Sequence, residues 1–253
     1  MDTPTPPTHN LGLDIPAIQR HTSRLLAAGV SGLVIHGSNG EAVHLSRRER
    51  RLAIEAVADA VRHDADSLHA PFPIIAGCSA QSVRETLELC REARDAGATY
   101  ALVLPPGYYK GLMDVKGIVE YFEAVAERGA LPVVVYNYPA AANGVDLDSD
   151  VILRLARHPR IVGGLVVGAN GTISGFANLA PRACVRIGEL FEQGRVQEAR
   201  ELQQEVAKAD WLAIRLPFKK LDEDGKAMAE IREGMARAME IERELSAEAV
   251  AGK

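Results

Sequence analysis

Gly37-Ser38-Asn39-Gly40-Glu41 sets two small polar side chains between two glycines. Such a loop presents hydroxyl, amide and backbone N–H donors without a cation, and it can hold a carboxylate by hydrogen bonds alone. The same five residues also make an ordinary turn after a strand, stabilised by Gly and Asn. Four of the six tyrosines fall in two further segments, Pro105-Pro106-Gly107-Tyr108-Tyr109 and Tyr136-Asn137-Tyr138-Pro139. A tyrosine that leaves a parallel strand for a loop can relay protons. It can equally lie as an aromatic lid with its hydroxyl in water. A fourth segment, Gly171-Thr172-Ile173-Ser174-Gly175, is a glycine-rich turn. On these residues alone both readings of each segment stay open.

Short apolar runs lead into these segments. GLVIHG (32–37), FPIIAG (72–77), YALVLPP (100–106), LPVVVYNYP (131–139) and RIVGGLVV (160–167) read as strands. Helical patterns separate them. One opens at Asp14 and Pro16 and stops at Gly29, and two more open at the capping boxes Ser46–Glu49 and Ser82–Glu85. Others cover about 114–129 and 148–157. The strands are continuous apolar runs rather than alternating ones, which predicts a parallel sheet covered by helices. In such folds chemistry collects at the C-terminal strand ends, where three of the four segments lie. Beyond residue 181 only helices are expected: one carrying Cys184, Ile187, Leu190 and Phe191, one over about 195–214, and one with Met228, Ile231, Met235 and Met239 on a stripe. That stripe reads as packing surface rather than a ligand site.

Composition narrows the function. The chain has 253 residues, 47% hydrophobic and 25% charged, enough apolar material for a sizeable core. A net charge of −5 argues against a basic face for nucleic acid or an anionic membrane. No apolar run approaches the roughly 18 residues of a membrane span. Cys78, Cys90 and Cys184 form no CxxC or metal spacing, which suggests a reducing compartment, and we expect a cytoplasmic protein. The first arginine is Arg20, and neither a secretory signal nor a transit peptide is expected. Residues 1–12, rich in Pro and Thr, read as a disordered leader. There is no GxGxxG, P-loop, HExxH or GxSxG. His36, His44, His63 and His69 lack ligand spacing, and His36 reads as a core residue. No cofactor and no metal are expected.

Taken together, GSNGE after a strand, a Tyr-Tyr pair after LPP, and YNYP at a strand end resemble the dihydrodipicolinate synthase / N-acetylneuraminate lyase family. These are class I aldolases on a (β/α)8 TIM barrel, and the resemblance runs from about residue 13 to 215. The GSNGE form is more similar to the 4-hydroxy-2-oxoglutarate aldolase and fungal-type 2-keto-3-deoxy sugar-acid aldolase branch than to the lysine-biosynthesis enzyme. The resemblance implies a carbon–carbon lyase that releases or condenses pyruvate or another 2-oxo acid, active as a homo-oligomer. It implies that Tyr136 carries the proton and that Ser38 and Asn39 bind the substrate carboxylate. Tyr109 then feeds a relay, often across a dimer contact, and the backbone of Ile173 lines the pocket.

The family's nucleophile is a lysine on the sixth strand that forms a Schiff base with the 2-oxo acid. His158-Pro159-Arg160-Ile161-Val162-Gly163 fits the lead-in to that strand, but Gly164-Leu165-Val166-Val167 fits a later part of the family. The seven lysines are Lys110, Lys116, Lys208, Lys219, Lys220, Lys226 and Lys253. Only Lys110 stands near the expected mouth, in a loop that supplies neither desolvation nor a cationic neighbour to lower its pKa. We therefore expect an incomplete barrel. Strand 1 is missing before Asp14, the region of strands 6 and 7 is skipped, and a Gly-rich loop and helix are omitted between Ile214 and Leu216-Pro217-Phe218. Such a barrel cannot close, and it exposes sheet edges. The expected organisation is leader 1–12, partial barrel 13–181, helical extension 182–247 and tail 248–253. Three origins fit: an incomplete gene model or splice product, a decayed paralogue, or a non-catalytic protein that kept the carboxylate loop. The last would bind a 2-oxo acid or a full-length relative. A doubly wound α/β protein with a different ligand is a further alternative.

Overall fold

The computed structural model of the chain describes residues 2–3, 12–64, 71–164, 172–215 and 226–251. The chain divides into two compact units: Asp2–Ser23 with Ser31–Ile173, and Arg24–Val30 with Ser174–Lys253.

Up to residue 164 strands and helices alternate as β1 (Asp2–Thr3), α1 (Ile15–Ala27, whose last turn belongs to the second unit), β2 (Leu33–Ile35), α2 (Arg47–His63), β3 (Ile74–Gly77), α3 (Val83–Asp95), β4 (Tyr100–Val103), α4 (Val115–Arg128), β5 (Val133–Val135), α5 (Ser149–Leu155) and β6 (Ile161–Gly164). The six strands lie in sequence order, β1 to β6, and every neighbouring pair is parallel. Registers such as Val34↔Ile75, Ala76↔Ala101 and Leu102↔Val134 set the strand ends level, so the loops after β2, β4 and β5 leave the sheet on one side. Leu33, Val34, Ile35, Val103 and Val133 are fully buried, as continuous apolar strands under a helical cover require. From α4, Val119, Phe122, Val125 and Ala126 complete that core. Each fully buried Val, Leu or Phe side chain contributes about 1.5–3 kcal/mol.

The capping box expected at Ser46–Glu49 is formed, and of the one expected at Ser82–Glu85 the Ser82 half is formed. Asp14, Ser82, Asp114 and Asp148 each accept from the N–H three residues on, and Ser46 and Glu49 form a reciprocal capping box. One expectation is corrected. A strand does precede Asp14: Asp2 and Thr3 pair with Val34 and Ile35. A strand of two residues is too short to show an apolar run, so the sequence carries no signature of it. Those two residues are accordingly strand rather than disordered leader, while residues 4–11 lie outside the described residues.

The second unit is helical: α6 (Pro181–Glu192), α7 (Val196–Arg215) and α8 (Lys226–Ala251). Ala180, Ala183, Ala209 and Ala238 let these helices approach closely around Phe176 and Val206, with Met235 and Leu245 packed against them. Glu242 of α8 is buried and accepts from the backbone N–H groups of Arg182 and Ala183, at 3.2 and 2.9 Å. Those are donors at the start of α6 that its own helix leaves without partners. Phe191, expected on the apolar face of α6, is 65% exposed, because it lies one residue, about 100° of helix, beyond the buried Leu190. The units part at Ile173/Ser174 rather than at 181, and α8 continues to Ala251, past the expected end at 247. No helix among the described residues is long and apolar enough to cross a membrane.

Candidate functional site

The loop after β2 is wound tightly. Ser38–Gly40 form one turn of 3₁₀ helix, with Gly40 N–H donating to Gly37 O and Glu41 N–H to Ser38 O. Glu41 closes it in the left-handed region at φ 49°. This winding buries Gly40 and leaves the Ser38 and Asn39 side chains exposed. Tyr136 follows β5 directly, and its N–H donates to Val103 O at 2.8 Å, which extends the β4–β5 pairing by one residue. Its half-buried side chain reaches across two strands, and its hydroxyl lies 2.9 Å from Ser38 Oγ. Either oxygen can be the donor. Tyr138 stacks on Tyr136, with ring centroids 5.7 Å apart and planes at 14°. The structure thus brings together two of the expected site residues from loops that share no sequence neighbourhood.

Tyr109 is placed differently. It is 64% exposed, and its ring meets Tyr108 edge-on at 4.8 Å. Its loop is nevertheless fixed from both sides. Tyr108 N–H donates to Gln81 Oε1 at 2.9 Å, Asn143 Nδ2 donates to Gly107 O at 3.1 Å, and Lys110 Nζ donates to the Gly144 carbonyl. Gly107 passes so close to the Ala142 carbonyl that a Cβ there would collide with it. Ile173 is half-buried just ahead of the turn at Gly175–Asn178, and residues 165–171 before it lie outside the described residues.

Asn137 was not singled out from the sequence. Its amide donates to Asp146 Oδ1 and Leu147 O, and its carbonyl oxygen accepts from Leu147 N–H, at 2.8, 3.0 and 3.0 Å. All three bonds tie the residue after Tyr136 to the far end of its own loop. Only its position between two tyrosines hinted at a role. Among the described residues no group of three or more His, Cys, Asp or Glu could hold a metal ion.

Three of the described lysines bind partners other than Ser38 and Tyr136. Lys110 binds Gly144, Lys116 faces Glu120 at 3.7 Å, and Lys208 pairs with Glu205 at 2.6 Å. Lys226 opens α8, and Lys219, Lys220 and Lys253 fall outside the described residues.

Residues 3–164 match the Dihydrodipicolinate synthetase family. The chain is 42% identical over 244 positions to the Emericella nidulans protein named "Probable 4-hydroxy-2-oxoglutarate aldolase, mitochondrial", covering 83% of this chain and 78% of that one. It is 36% identical over 296 positions to the L-threo-3-deoxy-hexylosonate aldolase of Hypocrea jecorina, covering 92% of each. Among solved structures it is similar to the chloride-inhibited dihydrodipicolinate synthase of Acinetobacter baumannii complexed with pyruvate. The TM-score is 0.81 at 26% identity, over 94% of this chain and 97% of that one. The expectation of a cytoplasmic protein is corrected by the Emericella relative, which is named mitochondrial. Cysteine usage reports a reducing compartment and does not tell one such compartment from another.

Proposed function

The chain belongs to the dihydrodipicolinate synthetase family, with its (β/α)8 fold, and we propose that its strand-end site binds a 2-oxo acid such as pyruvate. In this reading Ser38 and Asn39 hold the carboxylate, and Tyr136 carries the proton to or from the carbon next to the carbonyl. The carrying observation is the 2.9 Å contact between the hydroxyls of Ser38 and Tyr136. A phenol hydroxyl both donates and accepts hydrogen bonds, so it can pass a proton across such a contact. A 2-oxo acid sets its carboxylate one bond from its carbonyl. A carboxylate loop adjoining a phenol therefore matches that pair of groups in size and polarity. The names of the relatives, 4-hydroxy-2-oxoglutarate aldolase and L-threo-3-deoxy-hexylosonate aldolase, support a carbon–carbon lyase of the pyruvate-releasing or pyruvate-condensing kind. The relatives also support a mitochondrial location. The exposed Tyr108, Tyr109 and Leu112 in one loop support a homo-oligomer joined near the site.

We further propose that this chain lacks the Schiff-base lysine, so that the site binds without forming the imine. The family match stops at Gly164, where the sixth strand should lead to that lysine. The alignment with the Hypocrea aldolase runs over 296 positions, more than the 253 residues available, so it opens gaps within this chain. Both support an internal block being skipped, and with it strands of the barrel. The alternative is a truncated or inactive relative that binds a 2-oxo acid or a full-length copy, and it rests on the same retained loop. Isothermal titration with pyruvate tests the binding reading. Binding that weakens in Ser38→Ala supports it, and no heat with the unaltered chain overturns it.

A further inference from the structure

His36 stands one residue past β2, and the proposed site makes no use of its side chain. It is 4% exposed, and neither imidazole nitrogen has a hydrogen-bond partner among the described residues. A neutral imidazole carries one donor and one acceptor, and buried polar groups as a rule find partners. The residue is also held where it is. Its backbone lies in the left-handed region at φ 65°, an uncommon conformation for a residue other than glycine. Across the sheet, Gly77 approaches so closely that a Cβ there would collide with the His36 carbonyl oxygen.

Beside it lies a cavity of about 10 Å³, whose lining includes His36, Arg47, Arg50, Arg51, Gly77 and Glu92. That is at the lower end of the roughly 10–15 Å³ that one water needs, and such a water also needs two or more polar partners. The lining supplies them, since the Arg50 guanidinium already donates to the Gly77 carbonyl at the wall. Other occupants fit poorly. A phosphate or carboxylate is too large. The imidazole offers no cation, because burial first and Arg50 second push its pKa down to about 3. A reactive Cys–His pair is also disfavoured, because the bond from Cys90 and burial raise the Cys78 thiol. A thiolate there would find no imidazolium to stabilise it.

We propose that this cavity is a built site for one ordered water bound to His36, and that His36 is a positioning residue for the Ser38 loop. The water satisfies the imidazole and holds the left-handed turn. That turn, two residues before Ser38, aims the Ser38 hydroxyl at Tyr136.

A crystal structure of the full chain that resolves waters tests the first half. We expect one water within about 3.2 Å of an imidazole nitrogen and of a second polar atom. A dry cavity, or a nitrogen bonded directly to protein, overturns it. The ¹⁵N shifts of His36 in solution give a second check without crystals: a free acceptor nitrogen overturns the water. For the second half, His36→Gln keeps a donor and an acceptor and His36→Phe keeps neither. Crystal structures should show the Ser38–Tyr136 contact kept near 2.9 Å in the first and parted beyond hydrogen-bond reach in the second. A contact kept in His36→Phe, or lost in His36→Gln, overturns the positioning role. If the phenylalanine variant does not fold, the glutamine variant still tests that role by itself.

Discussion

The hydroxyls of Ser38 and Tyr136 lie 2.9 Å apart, although 98 positions separate the two residues in the chain. β2 and β5 deliver them, with β3 and β4 between, and neither side chain could reach the other if one strand slipped in register. The contact ties the loop after β2 to the strand end after β5, and the following predictions turn on it.

Removing either hydroxyl should weaken pyruvate binding by different amounts. Ser38→Ala deletes a donor to a charged carboxylate, a bond worth about 1.5–3 kcal/mol, so the Kd should rise about ten- to a hundredfold. Tyr136→Phe deletes a neutral hydroxyl contact of about 1 kcal/mol, so the rise should be about fivefold. Titration calorimetry reads both, and equal effects would mean that Ser38 does not touch the carboxylate.

Gly77→Ala should be among the most damaging single-methyl additions. The new Cβ would meet backbone, the His36 carbonyl, which cannot rotate away. Overpacking of this kind costs about 1–3 kcal/mol or more. Urea unfolding should show that loss, whereas Gly111→Ala, in open space, should leave the midpoint nearly unchanged.

His36 predicts an acid limb of stability. Its folded pKa, about 3, lies below its ordinary value of 6.5, so the native state keeps the imidazole neutral while the unfolded chain protonates it. Its contribution is complete above pH 6.5 and is lost as pH falls through the window from 6.5 towards 3. The loss is about 1.4 kcal/mol per pH unit across that window. His36→Gln should flatten this part of the curve when chemical denaturation is followed from pH 7 to 4. An unaltered slope would show that His36 can charge in the folded protein.

Much of this is legible in the sequence because the signals are local or periodic. Continuous apolar runs mark β2 to β6, and Asp14, Ser46, Ser82, Asp114 and Asp148 cap helices where caps are readable or close by. Tyr136 and Ser38 are legible as members of strand-end segments, but their contact is not, because it depends on the order and register of four strands. Asn137, Asn143 and Lys110 escape notice as loop ties for a related reason. Each bonds a backbone group across a loop return, and no spacing rule encodes such a bond. The two-residue β1 leaves no apolar trace.

The central claim is a site that keeps the family's substrate contacts without the imine-forming lysine. Incubation with pyruvate and borohydride, followed by intact and peptide mass spectrometry, tests it most directly, with the Emericella nidulans relative treated in parallel. The predicted result is an unmodified mass for this chain under conditions where titration shows pyruvate bound. A reduced pyruvyl adduct on any of its seven lysines would contradict the claim.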